Sequence, residues 1–150
     1  MRLNSMLLVF IHIHMLFFSG HGPAKAQTQT GITGNIRTLR GNQMPFKGKA
    51  NTIGHATTKE IYIYSATPIN ETEGISPLFS KIKTRLIAVT KSDSTGRYSV
   101  KVDPGKYSVF VKVDDKFFSN EIDNGYLSPV EVHQHSFATK DITITTHSAF

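Results

Sequence analysis

Cysteine and tryptophan are both absent from this 150-residue chain. Without cysteine there is no disulfide framework and no thiolate for redox, metal or nucleophilic chemistry. Stability must therefore come from packing. Six prolines and eleven glycines can punctuate turns, but they are too few for a low-complexity or collagen-like chain. Blocks of about five or six like charges are also missing. Seventeen Lys and Arg against eleven Asp and Glu give a net charge of +6. The basic residues are scattered among acids, which leaves no footprint for nucleic acid. No Gly-rich phosphate loop occurs, and no Ser, His and Asp stand in an order that spacing alone would favour as a triad.

The longest apolar run sits at the N-terminus. Arg2 supplies a positive start, residues 6–18 are apolar except for His12 and His14, and Ala24-Lys25-Ala26 is a small-x-small site. That order is the pattern of a cleaved signal peptide over residues 1–26, with cleavage between Ala26 and Gln27. The run is shorter than the about 20 apolar residues a spanning helix needs, and Gly20, Gly22 and Pro23 break it. No transmembrane segment is expected after cleavage, and no cysteine follows the run to carry a lipid anchor. The expected address is periplasmic or extracellular. Residues 27–150 are then a single domain of ordinary length.

Within that domain the dominant period is two. Tyr98, Val100 and Val102 alternate with Arg97, Ser99, Lys101 and Asp103. Tyr107, Val109, Val111 and Val113 alternate with Lys106, Ser108, Phe110 and Lys112, and Ile142 and Ile144 alternate with Asp141, Thr143 and Thr145. Such strands bury one face and wet the other, which suits antiparallel sheets. The pattern predicts strands over residues 30–39, 60–66, 84–91, 96–103, 106–113, 129–133 and 139–145, with a short one at Phe117-Phe118. At this spacing the fold class is all-β, a seven- to eight-stranded antiparallel sandwich. Asp93-Ser94-Thr95-Gly96 has the residues of a type I turn. Asp103-Pro104-Gly105 sets a φ-locked proline before a glycine that tolerates positive φ. Residues 41–58 and 67–74 show no period and are expected as loops, flexible over 47–55. Leu78, Phe79 and Ile82 suggest a short helical turn within 76–83.

The central hairpin carries a resemblance. Residues 92–100 read Ser-Asp-Ser-Thr-Gly-Arg-Tyr-Ser-Val, and 103–111 read Asp-Pro-Gly-Lys-Tyr-Ser-Val-Phe-Val. Together with Gly31-Ile32-Thr33-Gly34-Asn35-Ile36, they resemble the carboxypeptidase regulatory-like family. Asp103 stands where that family usually has a first proline. The arrangement also looks like small exported Bacteroidetes-type proteins that carry this domain alone, through Gly41 to Pro45 and the Glu60-Ile61-Tyr62-Ile63-Tyr64 strand. The resemblance implies a transthyretin-like (prealbumin-like) sandwich, near the carbohydrate-binding-like fold, with no peptidase chemistry. It implies structural roles for Asp93, Gly96, Pro104 and Gly105. Transthyretin-like sandwiches include a small hydrolase, 5-hydroxyisourate hydrolase, but its closing Tyr-Arg-Gly-Ser motif is not found here.

Candidate chemistry is sparse. His133-x-His135, with Glu131 on the same alternation, could present two imidazoles on one strand face to Zn²⁺ or Cu²⁺, but further ligands are missing and no metal or other cofactor is expected. Asp123-Asn124-Gly125 resembles a fragment of a calcium loop, but the other oxygen ligands are missing and an Asn-Gly turn is the favoured account. Asn70-Glu71-Thr72 fits a glycosylation sequon. If Val109 and Val111 face the core, alternation puts Phe110 on the wet face. Phe117 and Phe118 are adjacent, so one faces out. Exposed aromatics, with Tyr126, would make a platform for sugar or protein; a second layer of core packing, or burial under residues 41–58, is the favoured account. The function expected is a non-enzymatic exported module of the cell envelope that binds a protein partner or supports an assembly. The alternative is a carbohydrate-binding module using Phe110, Phe117, Phe118 or Tyr126, with a small hydrolase third.

Overall fold

The structure, a computed structural model, describes residues 29–42 and 54–149. The leader with Ala26 and Gln27 lies outside them, as do 43–53, which hold most of the segment expected to be flexible. The described residues contain no helix long and apolar enough to cross a membrane. In chain order the strands are β1 (Gly31–Asn42), β2 (His55–Ala56), β3 (Glu60–Ser65), β4 (Thr72–Ile75), β5 (Leu78–Ile82), β6 (Leu86–Lys91) and β7 (Arg97–Lys101). Then come β8 (Gly105–Val113), β9 (Lys116–Phe118), β10 (Ile122–Asp123), β11 (Tyr126–Leu127), β12 (Pro129–Val132), β13 (Phe137–Thr139) and β14 (Ile142–Ala149).

Apart from β10 and β11, which form a two-stranded sheet of their own, these strands build two facing sheets, the sandwich that the period-two pattern predicts. In the smaller sheet β1 is central. On one side it pairs antiparallel with β7, Gly31 opposite Lys101 through Asn35 opposite Arg97, and then with β2. On the other side it pairs with β13 and then β14, both parallel to it. That is the exception to antiparallel pairing. In the larger sheet β6, β3 and β8 lie side by side. The far edge of β8 is shared, with β12 along its first half and β9 along its second. β9 leads on to β5 and β4.

The core lies between the sheets. Ile32, Ile36, Tyr98, Ile142 and Ile144 come from one side; Ile61, Ile63, Val109, Val111, Phe118, Val130 and Val132 come from the other. Each such side chain fully removed from water stabilises the fold by roughly 1.5–3 kcal/mol before conformational entropy is subtracted.

A second apolar cluster covers the outer face of the larger sheet. Tyr64, Phe79, Ile82, Phe110 and Leu127 are buried there, with Tyr62 and Phe117 half-buried beside them. Phe110 is therefore not on a wet face: its exposure is 0%. Tyr107 through Val111 are buried without a break, because β8 is covered on both sides. The rings meet edge to face. Centroids are 5.7 Å apart for Phe110 and Tyr64, 5.8 Å for Tyr64 and Phe117, and 5.3 Å for Tyr62 and Phe117, separations that favour the aromatic quadrupoles.

The covering elements come from a segment expected to be a loop, 67–74, and one expected to hold a short helical turn, 76–83. Residues 67–74 hold a single turn of 3-10 helix (Ile69–Glu71) and β4, not a structureless loop. Residues 76–83 form β5 in place of a helical turn. The cause of the misreading is a β-bulge. Glu73 pairs with Lys81 but Gly74 pairs with Phe79, so Ser80 is extra. A bulge switches the side-chain alternation, so Phe79 and Ile82, three apart, enter one cluster. The resulting spacing imitates a helix.

Candidate functional site

The turns of the central hairpin are built by local hydrogen bonds. Asp93 Oδ1 accepts from Thr95 N–H at 2.8 Å, Thr95 Oγ1–H at 2.7 Å and Arg97 N–H at 3.0 Å. Gly96 N–H closes the turn on the Asp93 carbonyl at 3.0 Å. Asp93 titrates below its ordinary range, chiefly through the Thr95 hydroxyl and then the Arg97 amide. Gly96 has φ +80°, and a Cβ there would run into the Ile36 carbonyl. Beyond Asp103-Pro104-Gly105 the Tyr107 hydroxyl donates to the Asp103 carbonyl at 2.7 Å. Gly105 is not among the positive-φ glycines and already belongs to β8. These hydrogen bonds are local and hold the two turns of the hairpin.

Gly34 has a related duty. A Cβ there would collide with the Lys140 carbonyl, which also accepts the buried Tyr98 hydroxyl at 2.6 Å. Burial pushes the Tyr98 phenol well above its ordinary value.

A cleft opens where β6 and β7 diverge from their shared turn. It encloses about 640 Å³ and is lined by Gln29, Thr30, Arg85, Leu86, Ile87, Lys101, Val102, Asp103 and Tyr107. Burial and the Asp103 carboxylate raise the Tyr107 phenol, and the Arg85 guanidinium opposes them. The cleft lining is mainly polar, with Arg85, Lys101 and Asp103 as its charged groups and Leu86, Ile87 and Val102 as its apolar ones. Its residues escaped the sequence reading. The signal was present: Leu86-Ile87-Ala88-Val89 is apolar on both faces and is bracketed by Arg85 and Lys91, a pattern unlike the one-sided strands around it.

A second cleft of about 330 Å³ is lined by Ala66, Lys106, Asp123, Asn124, Tyr126, Pro129, Val130 and Glu131. Asn124 (φ 49°) and Gly125 (φ 81°) join β10 to β11 in a tight hairpin of type I′. The Asn-Gly turn therefore accounts for this stretch. Tyr126 stands on that hairpin, 41% exposed.

The sequence-predicted aromatics are not brought together on one surface. Phe110 and Phe118 are at 0% exposure and offer nothing to a ligand. Phe117 is half-buried, with the Lys112 ammonium 4.6 Å from its ring centroid. Tyr126 alone of the four is exposed, and it belongs to the second cleft.

His133 and His135 do not share a strand face. β12 ends at Val132, and the chain turns so that His135 takes φ 60° and donates its N–H to Thr30 Oγ1 at 3.1 Å. Glu131 faces Lys106 at 3.9 Å. Among the described residues no three His, Cys, Asp or Glu side chains are grouped so as to hold a metal ion. Asn70 sits exposed on the 3-10 turn.

One ion pair bridges separate parts of the fold. Lys140 is nearly buried, and its Nζ donates to both oxygens of Glu121 at 2.7 Å and to the Pro129 carbonyl at 3.1 Å.

No protein-family model, curated protein or solved structure matches this chain. The fold and its surface define the class: a two-sheet β-sandwich with a cleft between two strand edges.

Proposed function

We propose that the protein is an exported, non-catalytic β-sandwich module of the cell envelope that works by binding a protein partner. The observation that carries this reading is the β6–β7 cleft, where exposed Arg85 and Lys101 flank the apolar Leu86 and Ile87. Apolar area flanked by charge is the composition of a recognition surface. The N-terminal pattern of Arg2, residues 6–18 and Ala24-Lys25-Ala26 supports export. The hairpin motif, with the sandwich strands β1, β7 and β14 facing β6, β3, β8 and β12, supports membership of the carboxypeptidase regulatory-like family. The cleft's polar groups favour binding over chemistry, since the Tyr107 hydroxyl is engaged by the Asp103 carbonyl. The test is retention of envelope proteins by the immobilised protein. A discrete protein retained by the parent and lost with Arg85→Glu/Lys101→Glu supports the reading. Retention of glycans with no protein overturns it.

A carbohydrate-binding reading survives only at the second cleft, where exposed Tyr126 stands beside Asp123, Asn124, Glu131 and Lys106. One ring and several hydrogen-bonding groups suit a sugar. Glycan-array binding abolished by Tyr126→Ala would support it, and silence across the array removes it.

A further inference from the structure

On one flank of the sandwich the β6 edge has no strand beside it among the described residues, while on β7 the outward Ser99 carbonyl accepts the Thr90 hydroxyl of β6 at 3.4 Å. Among the described residues β6 pairs with β3 alone and β7 with β1 alone. The register says which backbone groups face outward on β6. Ser92 N–H donates to the Lys59 carbonyl at 2.9 Å. Antiparallel pairs alternate between bonded and non-bonded, so Ala88 and Thr90 turn their backbone groups to β3, while Val89 and Lys91 turn theirs outward. On the outer face Leu86 and Val89 stand opposite Tyr64 and Tyr62 and are 47% and 49% exposed. β6 is thus an open edge with an apolar row beside it.

Charge narrows the occupant. Arg85, Lys91, Arg97 and Lys101 are exposed along this flank. Three carboxylates stand among them, Asp93 in its turn, Glu60 opposite Lys91 and Asp103 at the cleft, so the four cations leave the flank net positive. A second copy docking on β6 would bring the same net-positive flank against itself, whereas an acidic strand meets it with opposite charge.

We propose that β6 accepts an extended acidic segment of a protein partner as an added strand. Its backbone bonds Val89 and Lys91, its apolar side chains lie over Leu86, Val89 and Tyr62, and its carboxylates face Arg85 and Lys101. The proposal rests on the protein-binding reading above and specifies the partner's chemistry.

The test uses the purified protein and a fluorescent peptide of about ten residues alternating Glu with Val, with the Lys-Val counterpart as control. The acidic peptide is expected to bind and the basic one not. Val89→Pro removes an outward N–H without touching the β3 ladder. Arg85→Glu/Lys101→Glu leaves the backbone intact. Each is expected to weaken binding by about tenfold or more, with amide shifts confined to β6 and β7. Failure of the acidic peptide to bind, equal binding of the basic one, or affinity unchanged in both variants overturns the proposal, as does a dimer that Val89→Pro abolishes. Envelope-protein capture that survives Val89→Pro but is lost with Arg85→Glu/Lys101→Glu overturns strand addition at β6 and leaves the cleft-binding reading standing; capture that survives both variants overturns both.

Discussion

Asp93 shows how one side chain sets a turn. A single carboxylate oxygen gathers two amides and a hydroxyl, and the charged form is the one those donors favour. Its folded pKa therefore lies below the ordinary value of 3.8. The sign follows: the contribution to stability is present above the unfolded value and is lost as pH falls through the lowered folded one. Asp93→Ala is expected to be less stable than the parent at about pH 7, and the gap to narrow as pH is taken to about 3. Urea midpoints across that range check it, and a gap independent of pH would assign the loss to packing or backbone propensity. Asp93 and Gly96 were legible in the sequence because turn chemistry is local. Gly34 was legible as a motif only. Its reason, the Lys140 carbonyl lying against β1, comes from residues more than a hundred positions away.

At the scale of elements, β8 is the strand the alternation misread. Period two implies one wet face, yet Phe110 breaks the polar side, and the run from Tyr107 to Val111 is buried throughout. Strands covered on both faces lose their alternation, and the Val-Phe-Val stretch carried that signal. What the sequence could not disclose was the cover. It comes from β5, whose bulge disguises a strand as a helical turn, and from Leu127 on β11. Phe110→Ala is therefore a core deletion, expected to cost about 3–5 kcal/mol. Phe117→Ala, at a half-buried ring, is expected to cost clearly less. Chemical denaturation of the two variants distinguishes this from a surface platform, in which both would be nearly neutral.

At the scale of the whole molecule, the first and last strands run parallel in the smaller sheet. Parallel pairing of chain ends is long-range, and strand-by-strand periodicity does not contain it. Among the described residues one ion pair ties the sheets together. Lys140, between β13 and β14, reaches Glu121 after β9 and the carbonyl of Pro129 at the start of β12. The pair is asymmetric, with the lysine side chain 10% exposed and the glutamate 51%. Removing either partner strands the other, and the cost depends on which is left behind. Glu121→Ala leaves a nearly buried ammonium with one carbonyl, and is expected to destabilise by about 1–3 kcal/mol once the half-solvated carboxylate is discounted for screening. Lys140→Met leaves a carboxylate already open to water and puts an apolar chain in the same channel, so it is expected to cost less. The double variant is then expected to be more stable than Glu121→Ala alone, because the unpaired charge has been removed. Urea midpoints for the three proteins decide the matter: equal losses in both single variants would mean that the pair is solvated and that packing alone holds the sheets together.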